Sequence, residues 1–180
     1  MSHAAFFDDR GDRRAELLPT ELLPLFDDRF VISCGLFEEY IQRLAVGVVR
    51  SAGIDAAGRE PGTPREIAAR AGLDPARAEV PVRWLLETLA KRSLAVRSSG
   101  GLYSVPGPLP ETDAMEIVAE QERHDPSALA SYRLAEMAAE LYPGVLRGTT
   151  SGEEALFAPE RIGAWFDYFS NDNIPYAISN

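Results

Sequence analysis

The sequence of 180 residues is poor in the side chains that most often carry chemistry, with one cysteine, Cys34, and two histidines, His3 and His124. A single cysteine excludes a disulfide framework and a cysteine-based zinc site. Carboxylates would have to supply the remaining ligands of any zinc site, so we predict no metal site. We expect Cys34 to be a small buried hydrophobic residue and His124 to be exposed near a helix end.

Catalytic motifs are missing as well. The 14 glycines form neither of the common phosphate-binding loops, and no serine lies in the Gly-x-Ser-x-Gly turn of hydrolases. Glu116/Glu120 and Glu136/Glu140 are acidic pairs at i, i+4 spacing, which is typical of solvated helix faces. We therefore predict that the chain contains no catalytic residue and is not an enzyme by itself.

Long apolar runs are also absent. None approaches the ~20 residues of a membrane span, and Met1–Phe7 do not have the layout of a signal peptide, so we expect a cytoplasmic protein. The net charge is −10, but residues 63–97 carry 7 basic and 4 acidic side chains. This basic segment could attract polyphosphate, whereas the acidic remainder of the chain would repel it.

The apolar spacing predicts a mainly α fold. Residues 1–30 form an N-terminal extension, a long helix follows over Ser33–Ala52, and residues 53–62 are expected to be a loop because they contain three glycines and Pro61. After residue 110 we predict three more helices, Thr112–Arg123, Pro126–Leu141 and Pro159–Phe169. Pro143-Gly144 is expected to end the second of them, and Ser151–Glu154 is a further capping box.

Residues 63–105 carry the most regular pattern. Thr63-Pro64-Arg65-Glu66 is a capping box with proline at the first helical position, and Gly72 ends that helix. Pro81 is expected to start a second helix, Val82–Arg92, which a hairpin of Leu94–Arg97 and Leu102–Val105 follows. This order predicts a winged helix-turn-helix with a small β-hairpin, flanked by the additional helices.

A winged helix often binds DNA, and a DNA-binding transcriptional regulator is the alternative function. The second helix would then enter the major groove while Arg97 contacts phosphate. However, Arg83, Glu87 and Lys91 are spaced by four residues, so we expect them to pair with one another rather than with phosphates.

Aromatic residues are concentrated near the C-terminus, where Trp165, Phe166, Tyr168, Phe169 and Tyr176 fall within twelve residues. Burying each ring is worth roughly 2–3 kcal/mol, so the segment is expected to be covered. Either the rings complete the core of this domain, or they line a joint with another domain or a substrate entrance. The candidate joint-facing residues are Trp165, Tyr168, Asn171, Asn173 and Tyr176.

Several segments resemble known methyltransferases. Residues 63–73 and 84–89 resemble the non-catalytic N-terminal region of small-molecule methyltransferases that use S-adenosylmethionine. Tyr142-Pro143-Gly144-Val145-Leu146-Arg147-Gly148 and the segment Trp165-Phe166-Asp167-Tyr168-Phe169-Ser170-Asn171-Asp172-Asn173, together with Ala155-Leu156-Phe157, are more particular. They are similar to the region that precedes the catalytic core in methyltransferase domains of polyketide synthase loading modules.

The resemblance implies a lid or adaptor function in polyketide chain initiation, a branch of natural product biosynthesis. Residues 31–110 would be the helix plus the winged-helix unit, and residues 111–180 a helical lid segment leading toward a methyltransferase core. S-Adenosylmethionine, and in some members a metal ion, would bind in that downstream core and not in this chain. The implied partners are the core, a GNAT-like decarboxylase domain and an acyl carrier protein of the same synthase, whereas nucleic acid and membrane are not expected.

Overall fold

The computed structural model describes residues 14–170 and 172–179, and this part of the chain is mainly helical with a small two-stranded antiparallel sheet, as the sequence predicts. Its helices are α1 (Arg14–Leu17), α2 (Asp28–Ser51), α3 (Ile54–Ala57), α4 (Pro64–Arg70), α5 (Pro75–Lys91), α6 (Met115–His124), α7 (Leu129–Arg147), α8 (Gly152–Leu156), α9 (Ile162–Tyr168) and α10 (Ile174–Ser179). Its strands are β1 (Val96–Arg97) and β2 (Tyr103–Ser104). None of the helices in the described ranges is long and apolar enough to cross a membrane.

The long helix α2 begins at Asp28, earlier than the predicted Ser33, because Asp27 caps it. The Asp27 carboxylate accepts a hydrogen bond from the backbone N–H of Phe30 at 2.8 Å. The C-terminal half of α2 belongs to one core and its N-terminal half to a second, so this helix connects the two halves of the fold.

Helices α4 and α5 confirm one expectation and correct another. The capping box is present: the Thr63 hydroxyl accepts from the N–H of Glu66 at 3.3 Å, and the Glu66 carboxylate accepts from the N–H of Thr63 at 2.8 Å. However, the second helix begins at Pro75 and not at Pro81, which lies inside α5. Asp74 caps this earlier start, and the complete burial of Ala78 and Val82 favours a continuous helix over a break at Pro81.

The predicted loop over residues 53–62 contains the short helix α3. The glycines suggested an irregular segment, but Ile54 is fully buried in the first core and holds this turn against it. The hairpin pairs Val96 with Ser104 and Arg97 with Tyr103, over shorter strands than predicted. Gly62 continues this pairing, because its N–H donates to the carbonyl oxygen of Tyr103 at 3.0 Å and its carbonyl accepts from Tyr103 at 2.8 Å.

The prediction that Pro143-Gly144 ends the helix Pro126–Leu141 is wrong, since α7 continues through both residues to Arg147. The helix ends at Gly148, which has a φ of 73° and supplies the left-handed stop. Leu146 is buried in the first core, and its carbonyl oxygen accepts from the N–H of Asp74 at 3.1 Å. These tertiary contacts hold the last turn of α7 in helical form.

Smaller differences lie at other helix ends. α6 begins at Met115 rather than Thr112, and a 3₁₀ turn at Pro126–Ala128, capped by Asp125, precedes α7. Ser151 caps α8 by accepting from the N–H of Glu154 at 3.3 Å. Helix α10 was not predicted, because its short apolar sequence contains Pro175.

The two cores differ in size. The first and larger core is formed by α3, α4, α5 and the hairpin, by the C-terminal half of α2 and by Leu146 of α7. The second is formed by Leu36, Tyr40, Ile117, Ala128 and Tyr132. A network of charged side chains connects α2 with α5 and α6. Arg92 donates to the Glu39 carboxylate at 2.7 Å, Arg43 donates to it at 2.9 Å, and Arg43 also contacts Glu116 at 2.9 Å.

Candidate domain-joint surface

The rings near the C-terminus pack on one another to form what we call the C-terminal aromatic cluster. Its members are Phe157, Trp165, Tyr168, Phe169 and Tyr176. Phe157 and Trp165 are stacked at 4.7 Å between centroids and 13° between planes, and Tyr168 lies 5.6 Å from Tyr176. The indole N–H of Trp165 donates to the carbonyl oxygen of Leu156 at 2.8 Å, which fixes the ring. Three predicted site residues, Trp165, Tyr168 and Tyr176, are thus brought together.

The cluster lies outside both cores and remains partly in solvent. Phe157 and Phe169 are each 52% exposed. Phe166, beside the cluster on α9, is 71% exposed. Among the described residues, these rings therefore do not complete either core, and they form an apolar surface of their own.

Asn173 attaches this surface to the rest of the molecule. It is buried, and its amide nitrogen donates to the carbonyl oxygen of Tyr168 at 2.8 Å and to the hydroxyl of Ser131 on α7 at 3.4 Å. The amide is thus engaged inside the protein and orients the turn between α9 and α10. The other predicted asparagine, Asn171, lies outside the described residues.

An aromatic cleft of about 180 Å³ lies where the cluster meets α2 and α7. It is lined by Ser33, Cys34, Phe37, Ala128, Ser131, Tyr132, Tyr168, Pro175 and Tyr176. Cys34 was expected to be buried, but it is exposed at this cleft because its turn of α2 faces the opening. The neighbouring atoms still desolvate the thiol and raise its pKa, so it stays protonated and is a poor nucleophile.

A buried polar network beneath the cleft was missed by the sequence analysis. Gln121 is completely buried, and its amide nitrogen donates to the Ser33 hydroxyl at 3.0 Å and to the carbonyl oxygen of Asp125 at 2.7 Å. The Tyr132 hydroxyl donates to the Gln121 side-chain oxygen at 3.1 Å, and burial raises the pKa of Tyr132 so that this donor stays protonated. The spacing could have indicated the burial of Gln121, because this residue follows Ile117 by four positions and so lies on the same, buried face of α6.

The charges on α5 are arranged differently from the prediction. Arg83 pairs with Glu79 at 3.2 Å, not with Glu87, which accepts from the hydroxyl of Tyr103 at 3.1 Å. Tyr103 of the hairpin thus contacts the carboxylate that the sequence analysis assigned to Arg83 and Lys91. Arg65 also contacts Glu79, at 3.3 Å. These contacts reduce the positive charge that α5 could offer to phosphates, and the geometry gives no support for DNA binding.

Other sequence-selected residues also have partners. His124 was expected to be exposed, but it is half-buried at the end of α6, where its Nε2 lies 3.0 Å from the carbonyl oxygen of Arg29. Of the acidic residues assigned to solvated faces, Glu116 pairs with Arg43, whereas Glu136 and Glu140 are exposed. Within the described ranges, no three histidine, cysteine, aspartate or glutamate side chains come together as a metal site. His3 lies outside those ranges.

Comparison with known proteins gives one informative likeness. No family model matches the chain, and neither does any curated protein. The fold is similar to part of the crystal structure of the selenomethionine-substituted CurJ carbon methyltransferase, with a TM-score of 0.69 and 21% sequence identity. The match covers 92% of this chain and 43% of that chain, so this chain spans less than half the length of that methyltransferase. At this identity the likeness establishes a shared fold.

Proposed function

We propose that this chain is the non-catalytic lid or adaptor region of an S-adenosylmethionine-dependent methyltransferase that acts in polyketide chain initiation. The exposed C-terminal aromatic cluster is the observation that carries the proposal. Its rings are ordered by mutual stacking and by the bond from Trp165 to Leu156, yet they contribute to neither core. An ordered apolar surface of this kind is typical of a surface that another domain covers.

The fold likeness supports the same assignment. The similar structure carries the name of a carbon methyltransferase, and this chain matches less than half of it. In this proposal the S-adenosylmethionine-binding core, with any metal ion that it holds, would lie outside the residues of this chain. Residues 63–105 would be a winged-helix unit that serves as a scaffold, since the acidic partners of Arg83 and Arg65 disfavour phosphate binding.

In this proposal the lid acts by excluding water. The aromatic cluster, with Leu134, Met137 and Leu141 of α7, would close one side of a neighbouring active site and lower its local dielectric constant. Trp165, Tyr168 and Tyr176 would face the joint, while Asn173 holds the α9–α10 turn in position. The partners would be the methyltransferase core, a GNAT-like domain and an acyl carrier protein of one cytoplasmic synthase.

The test is a binding measurement between this chain and the methyltransferase core of the same synthase. Phe169→Ser and Val80→Ser are matched variants, because each removes an exposed apolar side chain: Phe169, a ring of the aromatic cluster, is 52% exposed, and Val80 on α5 is 69% exposed. Truncating an aromatic anchor at an interface centre costs about 2 kcal/mol or more, so Phe169→Ser should weaken binding at least tenfold. Val80→Ser should leave the dissociation constant unchanged.

Methyl transfer by the reconstituted pair provides the second readout. Phe169→Ser should lower the rate of methyl transfer in parallel with binding. If the two variants bind the core with equal affinity, the aromatic surface does not form the joint. Methyl transfer by this chain alone, without the core, would contradict the non-catalytic assignment.

A further inference from the structure

A second cavity, distinct from the aromatic cleft, lies between α2, α5 and α7 and has a volume of about 270 Å³. Four of the ten residues that line it are alanines, three of them on α7. Small side chains at these positions leave a gap between helices that larger ones would fill. The remaining lining residues are Ile41, Leu44, Val48, Trp84, Leu85 and Tyr142.

The lining offers hydrocarbon contacts and two unused hydrogen-bond donors. Neither the hydroxyl of Tyr142 nor the indole N–H of Trp84 has a hydrogen-bond partner among the described residues. Burial raises the pKa of Tyr142, so its hydroxyl keeps its proton at neutral pH and can donate. No charged residue lines the cavity, and an ionic ligand would lose its hydration without compensation.

We propose that this cavity binds a small uncharged aliphatic molecule whose single carbonyl oxygen accepts a hydrogen bond from the Tyr142 hydroxyl. Ligand pockets are mostly apolar, with a few polar groups that orient the ligand, and they usually begin at about 300 Å³. The cavity therefore suits a short aliphatic ketone or ester rather than a larger ring system. This inference does not depend on the lid assignment, because the cavity is lined by α2, α5 and α7 and by no residue of the aromatic cluster.

Trp84 makes binding directly measurable. It lines the cavity, and the sequence has only one other tryptophan, so in a Trp165→Phe variant Trp84 is the only tryptophan and its emission can be excited selectively. Titration of that variant of the full chain with 2-octanone should give a saturable change in fluorescence. Tyr142→Phe, which removes only the hydroxyl, should weaken binding about three- to tenfold, as expected for the loss of one neutral hydrogen bond.

Ala138→Phe should abolish binding, because Ala138 lines the cavity and belongs to neither core. Circular dichroism melts establish whether that variant folds, and the Tyr142→Phe titration decides the question if it does not. A linear, non-saturating response to 2-octanone would overturn the site. Equal affinity in the Tyr142→Phe variant would overturn the assigned hydrogen bond and with it the carbonyl class of ligand.

Discussion

Replacing Gln121 by methionine tests the buried polar network beneath the aromatic cleft. Methionine keeps most of the side-chain volume but removes every polar contact. The Ser33 hydroxyl, the Asp125 carbonyl and the Tyr132 hydroxyl would each lose a partner, at 3.0, 2.7 and 3.1 Å respectively. At about 0.5–1.5 kcal/mol for each net hydrogen bond, the free energy of unfolding should fall by roughly 2–4 kcal/mol.

Urea denaturation followed by circular dichroism measures this loss, and a decrease of about 3 kcal/mol corresponds to a fall in Tm of roughly 6–12 °C for a chain of this length. Glu122→Met is the matched control, because it introduces the same side chain at the next, exposed position of α6. Tyr132→Phe tests the hydrogen bond from Tyr132 to Gln121 by itself. It should cost about 1 kcal/mol in the natural sequence and almost nothing in the Gln121→Met background. Additive effects, or a Gln121→Met variant as stable as the control, would refute the network.

Three further predictions concern stability. Thr63→Ala removes the hydroxyl that accepts from the Glu66 N–H and should lower the free energy of unfolding by about 1 kcal/mol. Ser99→Ala, at an exposed turn, is the control and should leave it unchanged. Equal effects of the two variants would contradict the capping assignment. Pro143→Ala should stabilise the protein by about 1 kcal/mol or more, because it restores a hydrogen bond inside α7. A loss of helical circular dichroism would contradict this and show that the proline stabilises the C-terminal end of the helix. Partial burial opposes ionisation of Glu39, but the hydrogen bonds from Arg92 and Arg43 outweigh it and lower its pKa below the ordinary 4.5. Ionised Glu39 therefore stabilises the folded protein at pH values above 4.5, and this contribution is lost as the pH falls through the lowered pKa of the folded state. Glu39→Gln should consequently make the free energy of unfolding depend less on pH in the acid range. Identical pH dependence in the variant and the natural sequence would rule this out.

Local rules predicted much of the fold because they act over a few residues. The capping box at Thr63, the Gly72 stop and the hairpin turn depend on neighbouring side chains, and the structure has them. Tertiary burial decided the rest. Pro81 and Pro143 were expected to limit helices, but Val82 and Leu146 are buried against distant residues and the helices continue.

The same distinction holds for the candidate site. The density of rings near the C-terminus predicted that they would be covered, either in the core or at a joint, and left both alternatives open. In the structure Trp165, Tyr168 and Tyr176 come together outside both cores. The helical stripe could not reveal that Asn173 would be engaged internally, because its partners Tyr168 and Ser131 depend on how α10 folds back onto α7. The exposure of Cys34 likewise depends on which face of α2 the second core covers.

Acrylamide quenching of Trp165 fluorescence tests the central proposal most directly. In a Trp84→Phe variant that carries 5-hydroxytryptophan in place of tryptophan, position 165 is the only label that red-edge excitation reaches, also in the presence of an unlabelled core, and its ring lies within the aromatic cluster. If the methyltransferase core covers this surface, adding the core should lower the quenching constant of Trp165 to that of a buried indole. A quenching constant that is the same with and without the bound core would contradict the assignment of this surface as the joint.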